Sequence, residues 1–407
     1  MLRSLRTSGS IKALTTTILQ DCSRESLWQA PAAAALCQQQ RNLEGLALIN
    51  KGTKAGPGGR SSISGVTATI FGCSGFLGRY LTNYLARAGS QCVVPHRADE
   101  VNVQYLKQMG DLGMIVQLKD FDMRSDEAVR EAISRSNVVV NCLGADKETM
   151  NFSYEEVHVD FAERIARACA DSDVLERLLH VSCLAASPGA PSRRLTTKAE
   201  GDRIIREIYP KATIFKAAHM TGVEDRLLNN FANLAKKLPF MPLVDGGHTL
   251  YQPTYVRDVT EAMMNSLKTP NAVGQTYHLA GPETYTIQQL MQLTLETIRE
   301  PYHEVYVPRA IAKAITAPRE YIYKKLPVPV NYMFTSDWVD ELQVDATLPQ
   351  QEGLLTYKDL NVLPRRIDEG VAIEHIRYYR VGGYDLGTTG TGQAQQSGGA
   401  GFGGQSF

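Results

Sequence analysis

Short apolar runs alternate with amphipathic stretches along the middle of the chain. Six runs of aliphatic and β-branched residues predict strands, over 66–71, 91–95, 114–118, 137–143, 178–183 and 213–216. Apolar residues at helical spacing predict the helices between them, over 80–88, 126–134, 153–171 and 198–208. Continuous apolar strands joined by helices are typical of a parallel sheet covered on both faces. We therefore predict an α/β fold with a doubly wound parallel sheet.

The same pattern divides the chain into parts. We predict a first domain over 66–222 and a smaller C-terminal α/β subdomain over 223–385, interleaved with the sheet. Residues 51–65 are rich in glycine, and residues 386–407 consist mainly of Gly, Gln, Ser and Thr. Such segments bury too little apolar surface to fold. We therefore expect a flexible lead-in and a disordered tail.

Residues 1–50 have the composition of a targeting segment. The first 20 residues contain Arg3, Arg6 and Lys12, many Ser and Thr, and no acidic residue. This is typical of an organellar transit peptide, and we favour the mitochondrion over the chloroplast. A tail without a targeting role is the alternative.

Charge and cysteine content exclude several classes. The 407 residues include 43 Lys plus Arg and 43 Asp plus Glu, so the formal net charge is zero. Binding of nucleic acid through an overall positive field is therefore not expected. No apolar run approaches the roughly 18–20 residues of a membrane-spanning helix. The 7 cysteines are scattered without a C-x-x-C pair, so we expect a reducing compartment and neither a disulfide framework nor a metal site.

The first predicted strand ends in a glycine-rich turn. The pattern Gly72-x-x-Gly75-x-x-Gly78 leads directly into the first predicted helix. In a Rossmann-like fold, three such glycines permit the tight turn, the approach of a pyrophosphate and close packing of the helix. The helix N-terminus also favours an anion. We therefore predict that a dinucleotide is held by loop residues Gly72, Ser74, Gly75, Phe76, Leu77 and Gly78.

The residue after the second strand selects the nucleotide. A carboxylate there would bind the ribose of NAD, whereas an arginine would bind the 2′-phosphate of NADP. Arg97 occupies this place, so we predict NADPH, because a guanidinium suits a phosphate. The alternative is a solvated Arg97, with Asp99 or Glu100 binding NAD.

The ends of the third and fourth strands add three candidates to this site. Asp122 could accept a hydrogen bond from the adenine amino group, and Leu143 and Gly144 leave room for the cofactor to pass. An aspartate after a strand is also a common turn residue.

Together these motifs resemble a known superfamily. The stretch 69–80 (TIFGCSGFLGRY) is similar to the glycine loop of the atypical, extended short-chain dehydrogenases/reductases. Later segments are similar to the dehydrogenase-like accessory subunits of mitochondrial complex I (NADH:ubiquinone oxidoreductase), over 138–144 (VVVNCLG), 180–187 (HVSCLAAS), 222–226 (GVEDR) and 252–259 (QPTYVRDV).

The resemblance implies a largely non-catalytic, nucleotide-binding subunit of the respiratory chain. Such a subunit would lie on the matrix side of the inner membrane, as a peripheral part of complex I near the junction of its two arms. Its partners would be other complex I subunits, and no nucleic acid is expected. Its cofactor would be a tightly bound, structural NADPH.

The resemblance also identifies where catalytic residues would stand. Active members of the superfamily use a Tyr-x-x-x-Lys pair, whose lysine lowers the pKa of the tyrosine for proton transfer. The corresponding stretch here runs from Arg194 to Lys198. Arginine stays protonated and cannot take over this transfer, so we expect no catalytic residue. Lys198 would contact the cofactor ribose, and the alternative is an exposed lysine on a helix that begins near Thr197.

A basic and aromatic segment follows between 301 and 334. It combines several tyrosines with the cations Arg309, Lys313, Arg319, Lys324 and Lys325. Such a mixture occurs at membrane interfaces, so peripheral contact with inner-membrane lipid is one interpretation. An ordinary solvated surface is the other.

Two other classes of function are left open by the residues. One is an active NADPH-dependent reductase, epimerase or dehydratase, against which the missing tyrosine argues. The other is a dehydrogenase-like protein that binds organellar RNA, against which the zero net charge argues.

Overall fold

The structure is a computed structural model that describes residue 59 and residues 62–325, 335–349, 353–368 and 371–380. The predicted transit peptide (1–50), most of the lead-in (51–65) and the glycine-rich tail (386–407) lie outside the described residues. Within these ranges, no helix combines the length and the apolar character that crossing a membrane requires.

Seven parallel strands form the central sheet. In chain order they are β1 Thr67–Phe71, β2 Gln91–Pro95, β3 Ile115–Leu118, β4 Val138–Asn141, β5 Arg177–Cys183, β6 Thr213–Ala217 and β11 Thr276–Leu279. Their order across the sheet is β11-β6-β5-β4-β1-β2-β3, and every neighbouring pair is parallel. Since the strand order reverses between β1 and β4, the crevice in which ligands bind in such sheets is expected outside the carboxyl ends of these two strands. The predicted doubly wound sheet is confirmed.

Helices cover both faces of the sheet. The helices between the first six strands are α1 Phe76–Arg87, α2 Glu100–Lys107, α3 Asp126–Ile133, α4 Phe161–Ala170 and α5 Arg193–Ile208. A π-helical segment, Glu156–Asp160, directly precedes α4. Successive residues of a strand point to opposite faces. Ile70 therefore packs in the core that contains α1, whereas Phe71 packs in the core that contains α4. Both faces are apolar, which explains the continuous apolar strands.

Most of the described chain after residue 222 builds a third core beside the sheet. The helices of this part of the chain are α6 Leu228–Lys237, α7 Val256–Lys268, α8 Ile287–Ile298, α9 Arg309–Lys325, α10 Ser336–Glu341 and α11 Val371–Glu374. Its short strands pair as β7 Met220–Thr221 with β10 Thr254–Tyr255, β8 Met241–Val244 with β13 Glu304–Val307, and β9 Leu250–Tyr251 with β12 Tyr285–Thr286. Phe231, Leu290 and Trp338 join α6, α8 and α10 in one apolar cluster.

Two elements that follow residue 222 belong to the central sheet rather than to this third core. Helix α7 packs in the same core as α1, and β11 forms one edge of the sheet. The predicted domain boundary at residue 222 stays a prediction.

The observed boundaries differ from the predicted ones at places that matter for function. Helix α1 begins at Phe76 rather than at residue 80, so it starts directly after Gly75. Helix α5 begins at Arg193 rather than at residue 198, and its first turn is polar. In this turn the Arg193 N–H donates to the Asp337 side chain. Asp337 lies 144 positions further along the chain, so the local sequence pattern could not predict this contact. The predicted helix over 153–171 is interrupted by the π-helical segment.

Candidate nucleotide-binding site

Gly72 brings the chain after β4 against the glycine loop. Its φ of +83° is a backbone conformation that favours glycine. A Cβ atom there would lie 3.0 Å from the carbonyl carbon of Cys142. The turn after β1 and the chain after β4 therefore meet at the backbone, inside the crevice between these strands.

The loop leaves the N-terminus of α1 open to an anion. The Gly75 N–H donates to the Gly72 carbonyl oxygen at 3.0 Å, which closes the turn. A Cβ atom on Gly78 would overlap the same oxygen, so α1 packs directly on the turn. In the described part of the chain, no side chain caps α1, and its first turn has no acidic residue. Because helix N-terminal N–H groups suit a phosphate, these residues fit the pyrophosphate of a dinucleotide.

The other three loop residues surround this turn. Leu77 is buried in the core, whereas Ser74 and Phe76 are partly exposed. The Arg79 Nε donates to the Ser74 carbonyl oxygen at 3.0 Å, and its Nη1 lies 3.2 Å from Glu224. Arg79 therefore fixes the loop to the segment that follows β7.

Two guanidinium groups contact one aromatic ring at the ends of β2 and β3. Arg97 is exposed, and its guanidinium carbon lies 4.3 Å from the centroid of the Phe152 ring. The guanidinium carbon of Arg124 lies 4.7 Å from the same centroid, and its Nη2 lies 2.9 Å from Glu156. Sequence reasoning identified Arg97 but missed Arg124, which lies further beyond the end of its strand β3, and Phe152.

Asp122 takes part in a turn. Its Oδ1 accepts a hydrogen bond from the Arg124 N–H at 2.9 Å, and the residue is exposed. This is the common role of an aspartate after a strand. Its contact with adenine stays a prediction.

The chain after β4 meets helix α5 at Gly144. A Cβ atom on Gly144 would lie 3.6 Å from Lys198 Nζ. The neighbouring Leu143 N–H donates to Asn141 Oδ1 at 3.1 Å, which holds this turn. Burial lowers the pKa of Lys198, and the Arg194 charge adds to the effect. Lys198 is therefore a half-buried residue in the second turn of α5 and not an exposed lysine at a helix start.

His158 is a second polar residue at this junction. Its Nε2 accepts a hydrogen bond from the Ala145 N–H at 3.0 Å, so its Nδ1 carries the proton and donates to Thr197 Oγ1 at 2.9 Å. Burial lowers the pKa of His158 well below its usual value, which keeps the ring neutral. Sequence reasoning missed His158; its only signal was a polar residue on the apolar face of the predicted helix.

Arg194, which the resemblance places where active members have their tyrosine, belongs to a buried ion pair. Arg194 is 5% exposed and Glu341, at the end of α10, is 2% exposed. The Arg194 Nε donates to Glu341 Oε2 at 3.1 Å, and its Nη2 donates to Oε1. Burial raises the pKa of the Glu341 carboxyl, but the charge and hydrogen bonds of Arg194, together with the nearby His219 and Lys198, outweigh burial, so the pKa is lowered overall. This bidentate pair binds strongly and has no proton to exchange near neutral pH.

The side-chain hydroxyls of Tyr154 and Ser182 are both engaged in hydrogen bonds within the protein. The Tyr154 hydroxyl donates to the Asp146 carbonyl oxygen at 3.1 Å, and burial raises its pKa. An acid–base tyrosine needs the opposite shift. The Ser182 Oγ donates to Asp202 Oδ2 at 2.8 Å, and both residues are buried. These hydroxyls are therefore held in structural hydrogen bonds.

We expect His219 to make the free energy of unfolding depend on pH. Its Nε2 lies 3.7 Å from Glu341 Oε1, and burial lowers its pKa to about 4. An unfolded histidine titrates near 6.5, so between these values the unfolded chain binds a proton that the folded chain does not. The free energy of unfolding should therefore fall as the pH falls from about 6.5 to 4, by roughly 3 kcal/mol from this residue.

Denaturant unfolding between pH 7 and 4 tests this expectation. His219→Gln should lose stability less steeply over that range than the unchanged protein. His248→Gln, at an exposed position, should keep the original slope. Parallel curves for His219→Gln and the unchanged protein would show that His219 is not the titrating group.

Comparisons with known proteins identify the family of this chain. Residues 68–280 match the model of the NAD dependent epimerase/dehydratase family, so fold and loop define a member of this nucleotide-binding class. The chain is 40% identical to NADH dehydrogenase (ubiquinone) 1 alpha subcomplex subunit 9, mitochondrial, of Arabidopsis thaliana, over 83% of each chain. It is 38% identical to the protein of the same name from Mus musculus, over 80% of this chain and 83% of that one.

The chain therefore belongs to the family of complex I alpha subcomplex subunit 9, within the epimerase/dehydratase superfamily. The resemblance predicted from the sequence is confirmed. Among solved structures, an epimerase of Methanothermobacter thermautotrophicus has the same fold, with a TM-score of 0.56 and 15% identity over 77% of this chain and 91% of that one.

Proposed function

We propose that this chain is a non-catalytic accessory subunit of mitochondrial complex I that binds NADPH as a structural cofactor. One observation carries the proposal: the glycine loop and Lys198 are kept, while the tyrosine position holds Arg194 paired with Glu341. The names of the relatives support membership of complex I. They favour this function over an active reductase and over an RNA-binding protein.

The site residues would divide the dinucleotide among them. The glycine loop (Gly72, Ser74, Gly75, Phe76, Leu77 and Gly78) would hold the pyrophosphate at the N-terminus of α1. Arg97 would bind the 2′-phosphate. Asp122 would accept a hydrogen bond from the adenine amino group. Leu143 and Gly144 would form the floor of the crevice, with Lys198 at the nicotinamide ribose.

The proposed inactivity follows from proton transfer. A reduced nicotinamide carries a transferable hydride, but reduction of a carbonyl also needs a group that delivers a proton at neutral pH. Arg194 keeps its proton, and the pKa of Tyr154 is raised by burial. The chain would therefore hold the nucleotide without turning it over.

The proposed location is the matrix side of the inner membrane, with other complex I subunits as partners.

Peripheral contact with inner-membrane lipid belongs to the same proposal. Residues Tyr306, Ile311, Ile315 and Tyr321 are exposed. Arg309 pairs with Asp245 and Lys313 with Asp340, so two of the five expected lipid-binding cations are paired within the protein. Flotation with liposomes should therefore depend less on salt than five unpaired cations would predict, and failure to float would exclude lipid contact.

Native purification tests the function as a whole. The protein should co-migrate with a megadalton NADH dehydrogenase on a native gel, and the purified chain should release NADPH on denaturation. It should oxidise no NADPH in the presence of carbonyl substrates. Steady turnover by the purified chain would overturn the proposed inactivity, and migration as a free protein would overturn the subunit assignment.

The choice of nucleotide is tested at Arg97. Arg97→Ala removes the proposed partner of the 2′-phosphate, and a hydrogen bond to a charged group contributes about 1.5–3 kcal/mol. The dissociation constant of NADPH should therefore rise at least tenfold, whereas that of NADH should change little. Calorimetric titration measures both. Arg135→Ala, at an exposed position outside the site, is the control. If Arg97→Ala weakened the binding of NADPH and NADH equally, the alternative that the site binds NAD would be favoured.

A further inference from the structure

We propose that Asp337 and Glu341 of helix α10 are positioning residues of the nucleotide site, and that nucleotide binding is thereby coupled to the docking of α10. The inference rests on the proposed binding of NADPH. It assigns a binding role to the C-terminal segment, which contributes none of the residues predicted to touch the nucleotide.

Asp337 holds the N-terminus of helix α5. Its Oδ1 accepts from the Arg193 N–H at 2.7 Å, and its Oδ2 accepts from the Arg194 N–H at 3.3 Å and from Ser192 Oγ at 2.9 Å. The side chain of Ser192, which precedes the helix, does not cap it, and the first turn has no acidic residue. The N-terminal N–H groups of α5 therefore take their carboxylate from α10, where it also complements the helix dipole.

Glu341 holds the same turn of α5 through its side chain. It lies four residues after Asp337, so both carboxylates occupy one face of α10. Its pairing with the buried Arg194 is bidentate. Backbone and side chain of Arg194 are thus both bound by α10, which fixes the rotation of α5 as well as its end.

The next turn of α5 carries the residues that face the cofactor crevice. Lys198 lies beside Gly144, and Thr197 accepts from His158, whose other nitrogen binds the backbone after β4. A rotation or shift of α5 at Arg194 would move Lys198 relative to Gly144. The position of Lys198 is therefore set on one side by the chain after β4 and on the other by α10.

A coupling of this kind acts in both directions. If docked α10 increases the affinity for NADPH by some factor, bound NADPH must favour docked α10 by the same factor. Loss of the nucleotide would then loosen residues 335–342 before it loosens the central sheet.

The experiment compares Glu341→Gln with Asp340→Asn in the full chain. Asp340 lies one position earlier on α10 and pairs with Lys313 instead of with α5. NADPH affinity is measured by calorimetric titration well below the melting temperature, and hydrogen exchange of residues 335–342 is measured with and without NADPH. Glu341→Gln should weaken NADPH binding about tenfold and reduce the NADPH-dependent protection of residues 335–342. Asp340→Asn should leave both unchanged.

Other outcomes separate the alternatives. Equal NADPH affinity for Glu341→Gln and the unchanged chain, with only a lower melting temperature, would make Glu341 merely structural and overturn the inference. No NADPH binding by the unchanged chain would overturn the proposed function itself, and the inference with it. If Glu341→Gln does not fold, Asp337→Asn supplies the same comparison, since it weakens the cap and leaves the Arg194–Glu341 pair in place.

Discussion

Replacing Arg194 with alanine is expected to lower the free energy of unfolding by about 3–5 kcal/mol. The reason is that Glu341 would stay buried without its counter-charge, which costs far more than the pair itself contributes. Glu341 is 2% exposed, so solvent cannot take the place of the guanidinium without rearrangement. Thermal unfolding should show a fall on the order of 10 °C.

Two further variants make this result specific. Arg194→Met combined with Glu341→Leu removes both charges and keeps most of the volume, so its stability should return near that of the unchanged protein. Arg203→Ala breaks the exposed pairs with Glu200 and Glu207 on the same helix and should lose at most about 1 kcal/mol. Equal losses for Arg194→Ala and Arg203→Ala would show that the Arg194–Glu341 pair has no special weight.

Replacing Gly75 with valine is expected to remove the nucleotide while the fold survives. Gly75 has φ −73° and ψ 171°, an extended conformation that valine adopts without strain. Its Cβ would lie 3.1 Å from the Gly72 carbonyl oxygen, and its methyl groups would fill the space at the N-terminus of α1. The contact with the Gly72 carbonyl oxygen requires only a small shift of the loop, so we expect the main loss at the phosphate site.

The expected size is at least a tenfold fall in NADPH released per chain, together with weaker assembly into the complex. A ligand at a hundred times its dissociation constant stabilises the folded state by about 2.7 kcal/mol, so the melting temperature should fall as well. Chromatography of the released nucleotide measures occupancy. Gly189→Val is the control, because a Cβ there has no atom within 4 Å. Full NADPH occupancy in the Gly75 variant would remove the loop from the site.

Local patterns predicted the sheet and the glycine loop because both depend on neighbouring residues. A strand with apolar side chains on both faces, such as β4, is readable wherever it stands. The glycine spacing is equally local, since it reports the turn of one strand into one helix.

Long-range pairs could not be predicted in this way. Arg194 and Glu341 are 147 positions apart, and the sequence marks neither as a partner of the other. The same holds for Arg309 and Asp245, whose pairing changes how the basic segment is interpreted. Arg124 could have been found beside Arg97 from the strand order, but its shared contact with Phe152 required the position of the loop after β4.

The edge position of β11 affects how the sheet can form while the chain is being synthesised. This strand, Thr276–Leu279, pairs with β6, and Tyr277 bridges in turn to Leu355. A ribosome delivers the chain from its N-terminus, so β6 emerges more than fifty residues before its neighbour. During that interval the backbone of β6 is an open template for other nascent chains. A chain truncated before residue 276 would keep this edge of β6 unpaired, so we expect it to aggregate rather than to form a smaller folded protein.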